Sequence, residues 1–108
     1  MKKSSLLSII SIILISLSHF VIADIKLPNV IGAGMVLQRD MPVPIWGWAD
    51  EGENVSVTFA GQTKKTTADA NGKWMVKLDP LKANGNNSTL TIIGNNTIKL
   101  ENILVGEV

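Results

Sequence analysis

The chain contains no cysteine and no tyrosine, and His19 is the only histidine among its 108 residues. Without cysteine it can form neither a disulfide nor a cysteine-linked lipid anchor. Because no histidine follows position 19, the later residues supply neither a His/Cys ligand set for zinc nor the base of a Ser-His-acid triad. We therefore expect residues 24–108 to contain no catalytic residue, no metal ligand and no cofactor site.

A dominant charge is also lacking. The chain has 10 Lys+Arg and 9 Asp+Glu, a formal net charge of +1, and the two signs are interspersed after residue 23. We therefore expect no nucleic-acid partner, since such proteins carry a basic face or stripe. Asp50, Glu51 and Glu53 cluster near one turn but lack the spacing of a calcium loop, so we interpret them as a solvated turn.

The first segment has the layout of a secretory signal peptide. Two lysines follow Met1, residues 6–17 are apolar apart from serines, and small or β-branched residues lead up to Ala23. This pattern predicts a signal peptide over residues 1–23, cleavage after Ala23, a secreted or periplasmic product and no membrane association afterwards. A retained membrane anchor is the alternative, because the apolar character continues to Ile22, although serines and His19 interrupt it.

The remaining chain shows the two-residue period of β-strands and no sustained helical period. Glycine and Asn-Gly turns separate the strands, and Gly61-Gln62 is interpreted as a hairpin turn rather than a nucleophile loop. Short strands with frequent turns predict an all-β fold, a small antiparallel immunoglobulin-like β-sandwich of six or seven strands over residues 24–102. The alternating apolar positions include Val55, Val57, Phe59, Trp74, Val76, Leu78, Leu90, Ile92, Ile98 and Leu100.

Residues 103–108 have a different character. They form a nearly continuous apolar run, which is typical of strands buried on both faces, as in parallel sheets of α/β proteins. We therefore expect residues 103–108 to start a second domain that continues beyond this chain. A domain of about 85 residues without disulfides buries only a limited part of its surface, which also indicates that it packs on another domain.

Three tryptophans, Trp46, Trp48 and Trp74, are the candidate substrate-binding residues. Indole faces stack on sugar rings, and alternation places Trp46 and Trp48 on the same side of one strand. The alternative is that all three pack in the core or against another domain, and this is favoured because so small a sandwich has few other bulky side chains. Gly47 between the first two tryptophans is expected to allow close approach of another chain segment.

Several fragments, in order, resemble the beginning of the sialate O-acetylesterase family, secreted enzymes that remove acetyl groups from sialic acids and related sugars. The most specific are residues 35–40 (Met-Val-Leu-Gln-Arg-Asp) and residues 43–49 (Val-Pro-Ile-Trp-Gly-Trp-Ala). The resemblance extends over residues 24–108. Other matching fragments are Leu27-Pro28, Gly52-Glu53, Val55-Ser56-Val57, Gly72-Lys73-Trp74, Leu90-Thr91-Ile92 and Leu104-Val105-Gly106-Glu107-Val108.

The resemblance implies a non-catalytic role for these residues. In that family the segment matching residues 105–108 runs into a Trp-Leu-Cys-Ser-Gly-Gln-Ser-Asn stretch that holds the nucleophile of an SGNH-type α/β hydrolase domain. The implied function is the N-terminal β domain of a sialate O-acetylesterase, with its own downstream catalytic domain and an acetylated sugar as partners. The alternatives are a carbohydrate-binding module and a structural β-sandwich without catalysis.

Overall fold

The computed structural model describes residues 23–108, except for the side chains of residues 84–87. The described residues form seven strands and no helix, which confirms the all-β prediction and the expected number of strands. The predicted signal peptide lies outside the described residues, apart from Ala23. The strands are β1 (Val36–Gln38), β2 (Val43–Trp48), β3 (Asn54–Phe59), β4 (Gln62–Thr67), β5 (Lys73–Leu78), β6 (Asn84–Ile93) and β7 (Thr97–Gly106).

The strands form two sheets, one of five strands in the order β1-β7-β6-β3-β4 and one of two strands, β2 and β5. Alternation along each strand turns one set of side chains inward, as the two-residue period predicted. The inward side chains of both sheets join in a single apolar cluster, so the core lies between the sheets. Its fully buried members include Phe59, Ile45, Leu78, Leu90, Ile92, Ile103, Val55 and Val57.

The β3–β4 connection is a two-residue hairpin. Phe59 pairs with Gln62, and both intervening residues, Ala60 and Gly61, have positive φ angles of 51° and 79°. Two successive positive φ angles give the turn whose twist matches a two-residue hairpin. The prediction of a hairpin at Gly61-Gln62 is thus confirmed, and β4 continues directly after the turn as an edge strand.

The five-stranded sheet differs from the expected antiparallel plan at one pairing. The short strand β1 runs parallel to β7, with Val36 opposite Leu104 and Gln38 opposite Gly106. A parallel pair needs a long crossover between its strands. Here nearly the whole domain provides that crossover, because β1 and β7 are the first and last strands. No local sequence pattern predicts such a pairing.

The C-terminal apolar run belongs to the sandwich. The register between β6 and β7 changes between the pairs Leu90↔Leu100 and Ser88↔Ile103, so β7 contains one extra residue between Leu100 and Ile103. Asn102, within this stretch, has a φ of 60°. This β-bulge explains why the sequence resembles two separate segments. The expected boundary between residues 102 and 103 thus falls inside β7, and a catalytic domain beyond it stays a prediction.

Burial along the end of β7 alternates instead of covering both faces. Ile103 and Val105 are buried in the core, whereas Leu104 lies beside Val36 on the outer face and is 36% exposed. Among the described residues this segment is therefore buried on one face only, and burial of its other face by a following domain stays a prediction. The reason is that one face of this sheet packs on the core while none of the described elements covers the other face at this pair.

One end of the sandwich is held by a buried carboxylate. Glu53 accepts hydrogen bonds from the backbone N–H groups of Asp50 and Asn95, at 3.1 and 2.7 Å, and from Asn95 Nδ2 at 3.0 Å. These bonds join the β2–β3 turn to the β6–β7 turn. The interpretation of Glu53 as part of a solvated turn is therefore wrong, because its charge is satisfied internally.

Candidate functional site

The outer face of the two-stranded sheet presents two of the three candidate tryptophans. In the β2–β5 register Trp46 lies opposite Met75 and Trp48 lies opposite Lys73. Trp48 is 40% exposed and Trp46 is partly buried against the edge of the core. The expectation that both tryptophans share one side of the strand is confirmed, and side chains two residues apart on a strand lie about 7 Å apart.

Trp74, in contrast, belongs to the core. It lies opposite Gly47 in the register and is only 3% exposed. Its ring lies over this glycine, because a Cβ built on Gly47 would come 3.0 Å from Trp74 Cζ2 and would collide with the backbone oxygen of Lys26. The close approach expected at Gly47 is therefore present from two directions.

Lys26 completes the edge of this sheet. Its backbone N–H donates to Trp48 O and its backbone oxygen accepts from Trp48 N, both at 2.9 Å. The segment before β1 thus pairs with the end of β2 as an isolated antiparallel bridge. This pairing fixes the backbone of Trp48, so the most exposed tryptophan sits on a rigid support.

We expect Gly47→Ala to lower the free energy of unfolding by about 1–3 kcal/mol, because the added methyl overlaps Lys26 O and the Trp74 ring. Urea unfolding measures this change. Gly106→Ala is the matched control, since a Cβ at this strand glycine meets no atom within 4 Å. Equal effects of the two substitutions would contradict the close packing at Gly47.

A surface depression of about 460 Å³ lies beside the tryptophans. Trp46, Trp48, Trp74 and Met75 supply apolar area, and residues of the neighbouring β4 edge and β4–β5 turn supply hydroxyl and charged groups. An apolar floor with a few polar groups at the rim is typical of small-ligand sites. The polar lining side chains are Thr66, Thr67, Asp69 and Lys73.

Asp69 is held in place at this rim. Its Oδ1 accepts hydrogen bonds from the backbone N–H groups of Asn71 and Lys73, at 2.8 and 3.0 Å. The hydrogen bond from Lys73 N, then that from Asn71 N, favours the charged carboxylate and lowers the pKa of Asp69 below its usual value. The carboxylate therefore stays ionised near neutral pH and closes the turn between β4 and β5.

Trp74 also brings an unpaired polar group to the wall of the depression. Its Nε1 is buried and has no protein hydrogen-bond partner within residues 23–108. A buried donor left unpaired costs about 1–3 kcal/mol, so such groups need an explanation. Cε2, the atom bonded to this nitrogen, is 3.2 Å from the Cβ position of Gly47, which lines the same depression.

The described residues do not assemble another chemical centre. Within residues 23–108 no group of three or more His, Cys, Asp or Glu side chains could hold a metal ion. A second depression, of about 480 Å³, lies beside β3, β4 and the end of β6. No aromatic residue lines it; the lining residues are Asn54, Val55, Ser56, Lys65, Thr66, Thr67, Ile93 and Gly94. In this same part of the chain no helix is long and apolar enough to cross a membrane.

Sequence reasoning found the tryptophans but missed their neighbours. Thr66, Thr67 and Asp69 reach the site because the β4 edge lies beside β5 although the two strands belong to different sheets. No spacing in the sequence predicts such a contact. Alternation does place Met75, because it precedes the inward Val76 and therefore faces outward, as Trp46 does.

Comparison with solved structures finds similarity to a known protein. No protein-family model matches the chain, and no curated protein does either. Among solved structures, it is similar to the crystal structure of a carbohydrate acetylesterase from Xanthomonas citri, with 36% sequence identity and a TM-score of 0.73. The match covers 77% of this chain but only 19% of that protein, so the chain corresponds to a small part of its length.

Proposed function

We propose that this chain is the N-terminal, non-catalytic β domain of a secreted carbohydrate esterase. The match to the Xanthomonas citri carbohydrate acetylesterase is the observation that carries the proposal, because it combines 36% identity with a TM-score of 0.73. Residues 24–108 contain no histidine and therefore cannot supply the base of a Ser-His-acid triad. In this proposal the acetyl ester is hydrolysed by a domain beyond Val108.

The finer assignment within this proposal is a sialate O-acetylesterase. It is supported by the fragments at residues 35–40 and 43–49, which resemble the beginning of that family. The downstream domain would be of the SGNH type, in which a serine hydroxyl attacks the acetyl carbonyl, a histidine takes the proton, and backbone donors stabilise the oxyanion. The product would be secreted or periplasmic, as the pattern of residues 1–23 predicts.

The surface at the end of β7 suits contact with such a domain. Val36 and Leu104 lie side by side on the outer face and are 44% and 36% exposed. The last residues are held beside β1, since Val108 N donates to Gln38 Oε1 at 3.0 Å and Gln38 Nε2 donates to Glu107 Oε2 at 3.2 Å. The chain therefore leaves the sandwich next to this apolar pair, where a following domain would cover it.

This docking is tested by comparing unfolding with and without the downstream chain. We expect the β domain to unfold at a higher urea concentration in the product of the complete reading frame than as residues 24–108 alone, because docking buries the Val36–Leu104 pair. Equal midpoints in the two proteins would contradict docking. Met41 lies on the segment between β1 and β2 and is also exposed. As a control, Met41→Ala should leave the difference between the two urea midpoints unchanged.

The function itself is tested by acetate release. The product of the complete reading frame should release acetate from O-acetylated sialic acid, while the 108-residue chain alone should release none. Release only from glucose pentaacetate, with none from O-acetylated sialic acid, would support a carbohydrate esterase and contradict the sialate assignment. No release from either substrate would contradict the proposed function.

A further inference from the structure

The outer face of the two-stranded sheet has features that packing among residues 23–108 does not explain. In a core, aromatic side chains are covered, as Trp74 is, whereas Trp48 is 40% exposed on a backbone fixed by Lys26. Trp46 and Met75 extend the same face, and Met75 is 51% exposed. Large exposed apolar side chains that lie together on a rigid strand pair mark a binding surface more often than a random patch.

The chemistry of the adjoining depression narrows the class of ligand. Flat indole faces favour a ring with an apolar side, and Thr66 at the rim carries a hydroxyl that pairs with other hydroxyls. The hydroxyl of Thr67 is already bonded to Asn54 Oδ1 at 3.2 Å. Asp69 Oδ1 accepts from two backbone N–H groups, and the opposite charges of Asp69 and Lys73 both lie at the rim, so the depression has no excess charge that would favour an ionic ligand. A pyranose ring, with one C–H face and a rim of hydroxyls, has both properties.

The wall of the depression also contains a buried hydrogen-bond donor without a partner among the described residues, the Nε1–H of Trp74. The nitrogen itself is buried, so it marks an unsatisfied donor close to the depression and supplies no direct ligand contact. The similarity to a carbohydrate acetylesterase agrees with a sugar as the ligand.

From these observations we infer that Trp46 and Trp48 form a sugar-binding platform on the β domain, with the depression beside Trp74 receiving one pyranose ring of a glycan chain. The platform would hold the glycan without cleaving it. The choice of a sugar rests partly on the proposed esterase function, but the binding itself needs no downstream domain.

The experiment is a two-dimensional ¹H–¹⁵N NMR titration of the 108-residue chain, following the three indole N–H signals of Trp46, Trp48 and Trp74. The probes are cellohexaose, a neutral glycan, and 3′-sialyllactose, an anionic one. We expect at least one probe to shift the Trp46 and Trp48 signals with a Kd of about 1 mM or tighter. No shift with either probe up to about 10 mM would overturn the inference.

Three variants distinguish stacking from a structural effect. Trp48→Ala should weaken binding by about tenfold or more, as the remaining indole signals report, because it removes the most exposed stacking face. Trp48→Phe keeps an aromatic ring and should stay within a few-fold of the unsubstituted chain. Leu104→Ala, an exposed apolar change on the other sheet, should leave binding unchanged.

The inference is overturned if Trp48→Ala binds as tightly as the unsubstituted chain while its spectrum stays dispersed. A glycan that binds the Leu104→Ala variant much more weakly would equally place the site elsewhere. Neither result would bear on the proposed function, which acetate release tests separately with the product of the complete reading frame.

Discussion

Replacing Ile103 by alanine should lower the free energy of unfolding by about 2–5 kcal/mol, as is usual when a buried isoleucine is truncated. Ile103 is fully buried in the cluster between the two sheets. A domain of this size has a total free energy of unfolding of about 5–10 kcal/mol. The substitution should thus remove a large share of the stability, seen as an earlier urea transition.

The neighbouring residue provides the control for this prediction. The side chain of Leu104 is an isomer of that of Ile103 and has the same number of atoms. It points to the outer face, however, and is 36% exposed. We expect Leu104→Ala to cost about 1 kcal/mol or less in the chain alone. If both substitutions had small, equal effects, residues 103–106 would not be part of the sandwich, as the boundary expected after residue 102 implies.

The second large effect concerns Glu53. We expect Glu53→Ala to lower the free energy of unfolding by about 3 kcal/mol. The substitution removes the carboxylate that accepts three hydrogen bonds, one from Asp50 and two from Asn95. Glu53→Gln should cost less, since the amide oxygen still accepts. Urea unfolding at neutral pH measures both values.

Glu51 is the matched control for the carboxylate. It lies two residues earlier in the same turn and is exposed. Glu51→Ala should change stability by no more than about 0.5 kcal/mol. Similar losses at both positions would mean that the general acidity of the turn matters and that the buried network does not.

The sequence was sufficient to predict those features that depend on local alternation. The shared side of Trp46 and Trp48, the inward positions of β3 and β5 and the hairpin at Gly61 all follow from the two-residue period and from turn chemistry. These features need no information about which strands meet. They therefore could be placed before the sheets were known.

The features that the sequence could not provide arise from contacts between distant segments. The parallel pairing of β1 with β7 joins residues about 70 positions apart, and nothing in either strand encodes its partner. The break at Asn102 was indistinguishable from a domain boundary, because a bulge and a linker interrupt alternation in the same way. Glu53 looked like a surface acid, since its partner Asn95 lies on another turn.

The same limit applies to the candidate site. Tryptophan content and spacing indicated a binding face, and alternation placed Trp74 inside, but only the structure shows that Trp74 lies opposite Gly47 and that Trp48 stays exposed. Thr66 and Thr67 join the site through the lateral approach of β4 to β5. A single sequence gives no signal for that approach.

The central claim is that residues 24–108 form the N-terminal domain of a carbohydrate esterase. Sequencing the locus beyond the codon for Val108 tests this claim most directly. The account predicts an open frame that continues into a Trp-Leu-Cys-Ser-Gly-Gln-Ser-Asn-like stretch, with an Asp-x-x-His arrangement far downstream. A genuine stop codon directly after Val108 would contradict the account, because residues 24–108 contain no histidine to serve as the base of a Ser-His-acid triad.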